Sequence, residues 1–279
     1  GLGLAVGFGL NQLVTIGALA FHWPPSVSIG LLAVCSVASS IHAWRRQARI
    51  SVPRDQLLVL AALVVLGVHL YAVGSRYDNM EDRIHVAISE RLAHLPAPSL
   101  RNIYYSPGVV YTYPFPGTHY LVALIARAGS MPVIFTYAKL RAFWGIAALI
   151  LLHGCVRVLV DHARAATATT LVAAALVANG AFAAVGTYWG QLAPFSHASD
   201  VAMNVLLPAL LLVTLGALRT DDRREFWFSL LAATMLTLTL LIVHIREIAQ
   251  YAVYLVAFLA VAIAARAPRR LVLRTLGVV

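Results

Sequence analysis

Tyr77-Asp78-Asn79-Met80-Glu81-Asp82-Arg83-Ile84-His85 follows directly on the apolar run 57–74 and opens the one long polar interval of the chain, Ser75 to Pro132. Nearly everything outside that interval reads as membrane span. A helix needs about 20 apolar residues to cross a bilayer, and apolar runs of that order fall at 1–21, 26–43, 57–74, 134–157, 166–189, 200–218, 227–243 and 251–266. The expected fold is all-α: a polytopic transmembrane helix bundle of about eight spans, forming a single domain over 1–279. Residues 75–133 form its long external loop and carry short interfacial helices.

Composition leads the same way. Of 279 residues 61% are hydrophobic and 11% charged, with a mean hydropathy of +0.81, which leaves too little polar surface to coat a soluble globule of this size. Residue 1 is a glycine inside an apolar run, so the numbered chain is expected to begin within a longer protein. Cys35 and Cys155 sit in apolar spans without metal or redox spacing and read as small core residues.

The net charge of +10 does not point to nucleic acid, because the basic residues cluster between spans. Arg45, Arg46, Arg49 and Arg54 fall in 44–56, Arg157 and Arg164 in 157–165, Arg219, Arg223 and Arg224 in 219–226, and Arg266, Arg269, Arg270 and Arg274 in 266–274. Such segments are expected to be cytoplasmic. Alternation then places 22–25, 75–133, 190–199 and 244–250 on the other side. That side carries Asp78, Glu81, Asp82, Glu90, Asp200 and Glu247, with His85, His119, His197 and His244. Any chemistry is therefore expected at the outer face of a multi-pass protein, with a bacterial plasma membrane as the expected location.

Within the loop, 77–94 has helical register: Asp78, Glu81, Asp82 and His85 stand at i, i+3, i+4 and i+7, on one face. Proline-rich and aromatic sequence follows from Pro96 to Pro116, where a helix does not persist. Gly117 to Gly129 reads as another short helix, with an apolar core too short to span, lying in or dipping into the interface. The aromatics from Tyr104 to Tyr120, Tyr113 among them, suit the headgroup level. No Gly-rich phosphate loop or nucleotide fingerprint is present, which weighs against a nucleotide-sugar or ATP-driven activity.

Crowded carboxylates raise one another's pKa and can supply a general base near neutral pH. They can also bind a divalent cation, Mg or Mn, and Asp78, Asp82 and His85 form a candidate ligand set. The plain alternative is a solvated helix start, with Glu81 and Asp82 favoured by the helix dipole and paired with Arg76 or Arg83. Loop length favours function, since a mere connection needs only a few residues.

An apolar span, then Glu81-Asp82-x-x-His85-x-Ala87, then the proline-rich passage Tyr111-Thr112-Tyr113-Pro114-Phe115-Pro116-Gly117, then a short apolar helix, resembles the first external loop of GT-C fold glycosyltransferases. These are polytopic enzymes that use polyprenyl- or dolichyl-phosphate sugars. Ala138-Lys139-Leu140-Arg141-Ala142-Phe143 resembles the basic start of the following span, and the alanine-rich span 166–189 leading to an outer loop with Asp200 is similar as well. The resemblance covers roughly 57–218, within a core of 57–279. The two spans in 1–56 precede the span that should be first.

The resemblance implies that Asp82 or Glu81 is the catalytic carboxylate, deprotonating an acceptor hydroxyl that displaces the lipid phosphate at the anomeric carbon. Asp78 and His85 would then be supporting or metal-binding groups. Arg246 is expected to hold the donor phosphate, against the plain reading of a pair with Glu247 or a headgroup. Lys139 and Arg141 either join that clamp or snorkel to the interface. Tyr113, His119, His197 and Asp200 are candidates for the acceptor site or groove, although Ser199 or Asp200 as a helix N-cap explains the last pair equally well. His69 and His153 carry no site assignment, and Asn11, Asn179 and Asn204 read as interhelical hydrogen bonders.

The expected function is therefore an inverting membrane glycosyltransferase. Its partners would be a polyprenyl-phosphate-linked sugar, a glycan or protein acceptor and the lipid bilayer, with no nucleic acid. The rivals are a transporter or flippase-like protein, and a non-catalytic membrane subunit.

Overall fold

The computed structural model describes residues 2–46, 54–73, 80–99, 117–160, 162–178, 201–243 and 246–264, and among them it contains helices and no strand. In chain order these are α1 (Leu2–Phe21), α2 (Pro25–Arg46), α3 (Arg54–Val73), α4 (Met80–His94), α5 (Gly117–Ala128), α6 (Val133–Val160) and α7 (Ala163–Ala178). A π-helical turn (Ala202–Leu206) then leads into α8 (Leu207–Arg219), followed by α9 (Arg223–Val243) and α10 (Arg246–Ala264). Among the described residues the apolar runs fall on helices, although 179–189 of the run 166–189 lies outside them, and helices extend past the runs into charged ends such as Arg223 and Arg246. Hydropathy marks where side chains are apolar, whereas a helix continues until its terminal backbone groups find partners. Asp222 Oδ1, for example, accepts from Arg224 N–H at 2.8 Å and caps the start of α9.

Among the described residues, three helices are long and apolar enough to cross a membrane: Val133–Val160, Ala202–Arg219 and Arg223–Val243. Gly9–Phe21, Pro25–Ile41, Gln56–Ala72 and Ala163–Ala178 are shorter apolar helices. The π-helical turn has a local cause. Pro208 has no N–H to give to the residue four before it, and its ring crowds that carbonyl. The backbone widens one turn earlier, where Leu207 N–H donates to Ala202 O.

The long α6 is the hub, packing against α3, α7 and α8 along its length and against α4 and α5 near its start. One apolar cluster joins α3, α6, α7, α8, α9 and α10, with Leu151, Leu206, Leu210, Leu236 and Leu240 wholly buried. Glycine permits the closest approach: a Cβ on Gly67 of α3 would stand 2.6 Å from Ile146 Cδ1 of α6. A second cluster, Ala18, Ile88, Leu92, Tyr120, Ala123 and Leu124, ties α4 and α5 to the turn between α1 and α2. The α3 end and the α6 start meet at the same end of the bundle, where Lys139 Nζ reaches Tyr71 O.

The short helix expected over Gly117–Gly129 is present as Gly117–Ala128. More than half of it is buried against α1, α2, α4 and α6, because its apolar side finds protein partners before lipid ones. Both α1 and α5 end in a Schellman turn. Trp23 N–H donates to Ala18 O at 3.1 Å, and Met131 N–H donates to Ala126 O at 2.9 Å. The left-handed residues between them are His22 (φ 53°) and Ser130 (φ 50°), not glycine. A side chain there costs about 1–2 kcal/mol. His22→Gly and Ser130→Gly are each expected to stabilise the fold by about 1 kcal/mol, read as a raised thermal midpoint in detergent; a lowered midpoint would contradict the assignment.

Candidate functional site

In α4 the residues His85, Ile88, Ser89 and Leu92 are buried. Their spacing of i, i+3, i+4 and i+7 puts them on one face, which packs on α5. That face brings His85 against His119, 34 residues later. His85 Nδ1 and His119 Nε2 are 2.7 Å apart, and the rings stack with centroids 5.0 Å apart at 15°. One nitrogen donates and the other accepts, so the pair shares a proton between two rings that are 2% and 4% exposed. Ser89 Oγ donates to His85 O at 2.9 Å and steadies the α4 side. Burial, and after it the charge of His85, pushes the His119 pKa down to about 3, so His119 is a neutral imidazole near pH 7.

The pair forms one wall of a small cavity completed by Thr118, Tyr137, Leu140 and Trp144. Tyr137, Arg141 and Trp144 stand at i, i+4 and i+7 on α6, and all three are buried. The Arg141 guanidinium carbon lies 6.0 Å from the Tyr137 ring centroid. A cationic fork is therefore held one helical turn from the cavity wall, a position suited to an anion.

Lys139 goes elsewhere. Its Nζ donates to Tyr71 O at 2.6 Å and sits 4.0 Å over the Tyr71 ring, covering the last turn of α3. Two basic residues that look equivalent in sequence are thus divided, with Arg141 inside and Lys139 on a helix end. A two-residue step rotates by about 200° on a helix, so a shared clamp is not formed. Arg246 begins α10 and is exposed, while its neighbour Glu247 is 2% exposed. On α5, Tyr120 is wholly buried and its hydroxyl is 3.0 Å from Ser28 Oγ of α2, an interaction between elements that the aromatic reading of the loop did not anticipate.

Glu81 and Asp82 form part of the first turn of α4 by backbone, four and three residues before His85, on the register that shares its face. Asp78, Tyr113, His197 and Asp200, and the carboxylates of Glu81 and Asp82, fall outside the described residues. So does Asn179. Asn11 does bond between helices, its Nδ2 donating to Gly117 O of α5 at 3.3 Å. His153 bonds to Thr170 Oγ1 at 3.0 Å, as a packing histidine does. Among the described residues no group of three or more His, Cys, Asp or Glu side chains is placed to hold a metal ion. His85 Nδ1 is already engaged by His119, so a part for His85 in a cation site with Asp78 and Asp82 would fall to Nε2. Tyr137 and Trp144 were missed by the reading of residue types. Their helical spacing with Arg141 in an otherwise apolar span was the available signal.

Compared with known proteins, the chain matches no family model, no curated protein and no solved structure.

Proposed function

We propose that the chain is a polytopic membrane glycosyltransferase of inverting type, with a bundle of about eight spans, moving a sugar from a polyprenyl-phosphate donor to a hydroxyl acceptor at the external membrane face. The observation that carries the reading is the buried His85–His119 pair, facing Tyr137 and Trp144 of α6 and set one turn after Glu81 and Asp82 in α4. Membrane setting is supported by the outer faces of α2, α3 and α10, where Val34, Val65, Val68, Val253 and Val261 are 64–70% exposed, surface that water disfavours and lipid accepts.

In this reading Asp82 or Glu81 takes the acceptor's hydroxyl proton as the oxygen bonds to the anomeric carbon. The bond from that carbon to the lipid phosphate breaks, its electron pair stays on the phosphate oxygen, and polyprenyl phosphate leaves. Arg141 balances the charge on the departing phosphate, and exposed Arg246 offers a second contact from α10. The His85–His119 pair holds the α4–α5 unit in register and presents neutral nitrogen near the reacting groups.

The test is a proteoliposome assay of the full chain with a polyprenyl-phosphate sugar labelled in the sugar. Label is expected to enter acceptor as polyprenyl phosphate is released. Arg141→Met is expected to raise the donor KM about tenfold, the scale of a lost charge-assisted hydrogen bond, with Lys139→Met within about twofold of wild type. Passage of uncleaved labelled substrate across the bilayer would sink the enzyme reading in favour of a transporter.

A further inference from the structure

Where α4 and α5 end and α6 begins, an open pocket of about 410 Å³ lies among Glu90, His94, Arg127, Ser130 and Met131. Its volume is within the ~300–1,000 Å³ of small-molecule sites. The pocket is separate from the histidine pair. Glu90 and His94 follow His85 in α4 by five and nine positions, and at about 100° per residue both fall on the far side of that helix. Two opposite charges meet here, and each is fixed by its own neighbour. Arg127 Nη1 donates to Ala93 O at 3.1 Å and to Leu95 O at 3.3 Å, closing the C-terminal end of α4. Those bonds set the plane of the guanidinium, whose five N–H donors then leave Nε and Nη2 for a ligand. Glu90 Oε1 accepts from His94 Nε2 at 2.9 Å, which leaves Oε2. Among the described residues Glu90 pairs with His94 and not with Arg127, so the pocket keeps a cation on its α5 wall apart from a carboxylate on its α4 wall.

We infer that this pocket binds a phosphoethanolamine unit, with its phosphate on Arg127 and its ammonium on Glu90, and that the unit is the headgroup of a membrane phospholipid. Three observations select this occupant. The oriented guanidinium fork matches the oxygens of a phosphate. The carboxylate in the same pocket repels a ligand that is only anionic and complements a primary ammonium, which brings three N–H donors. Met131 of the pocket wall, with Ile134 and Phe135 in the first turn of α6, is part of an apolar surface 47–54% exposed, which acyl chains would cover. The inference rests on the membrane setting and not on sugar transfer.

The test is lipid retention by the full chain. Nanodiscs with equal parts of phosphatidylethanolamine, phosphatidylcholine and phosphatidylglycerol would be loaded with the chain and opened in detergent, and the retained lipids counted by native mass spectrometry. Phosphatidylcholine keeps both charges but its nitrogen carries no N–H, and phosphatidylglycerol has no amine. Wild type is expected to retain phosphatidylethanolamine about tenfold over either, the scale of one charge-assisted hydrogen bond. Glu90→Gln is expected to abolish that preference, and Arg127→Gln to lower retention of all three lipids about tenfold. Because Arg127 also closes α4, the decision rests on Glu90→Gln, an exposed position on the surface of α4. Equal retention of the three lipids by wild type, or an unchanged preference in Glu90→Gln, would overturn the proposal. Soluble phosphoethanolamine separates the two sources of the same chemistry. No displacement of bound lipid at equal concentration is expected, and full displacement would assign the site to the free molecule. Binding is read without turnover, so it stands or falls separately from glycosyl transfer.

Discussion

Sugar transfer by the chain carrying Asp82→Asn is expected to fall about 10²-fold or more, the scale of removing a general base, with the folded fraction unchanged. The substitution keeps shape and hydrogen bonding but removes the group that accepts the proton. Glu81 and Asp82 lie in the first turn of α4, which starts at Met80, where the helix dipole favours negative charge, and both are one turn from His85 in register. The dipole lowers a carboxyl pKa and a crowded neighbour raises it, so the residue that acts is the one whose neighbours offset the dipole. Parallel assays of Asp82→Asn and Glu81→Gln separate them. Loss in one variant alone identifies the base, and loss in both identifies a carboxylate pair acting together. Unchanged transfer in both would remove this loop from the chemistry. Because an asparagine or glutamine at a helix start remains compatible with capping, a thermal midpoint near wild type is the expected control.

Acid is expected to destabilise the wild-type fold more steeply than the fold of His119→Gln. His119 has a native pKa of about 3, against about 6.5 for an unfolded histidine. Between those values the unfolded chain binds the extra proton, so the slope of unfolding free energy with pH is positive. The contribution of neutral burial is intact above pH 6.5 and is lost progressively as pH falls toward 3, at about 1.4 kcal/mol per pH unit. His85 from α4 shares the hydrogen bond with His119, and Tyr137 lines the same cavity from α6. Glutamine keeps a polar contact to His85 but does not titrate in this range. Thermal midpoints in detergent from pH 7.5 to 4.5 would therefore fall faster for wild type, and the curves would converge near neutrality. Parallel curves over the whole range would mean that His119 is not held neutral by burial.

Helix positions were legible in the sequence because a run of apolar side chains and a helix that buries its own backbone are imposed by the same local chemistry. Leu236, Leu240 and the Val59 to Leu70 stretch needed no tertiary information to be placed on apolar helices. The same holds for the register of His85 behind Glu81 and Asp82, since a rotation of about 100° per residue puts them on one face wherever α4 docks. Which residues meet was not legible. Nothing local brings His119 to His85, or sends Lys139 to Tyr71 while burying Arg141. The first depends on how α5 inserts between α1, α2, α4 and α6, the second on how α6 lies against α3, and both on shape complementarity between segments far apart in the chain. The pattern of side chains along the chain determined the helices and their apolar faces; packing decided which polar groups became buried together, because each buried polar atom must find its partner among whatever neighbours the close-packed helices supply.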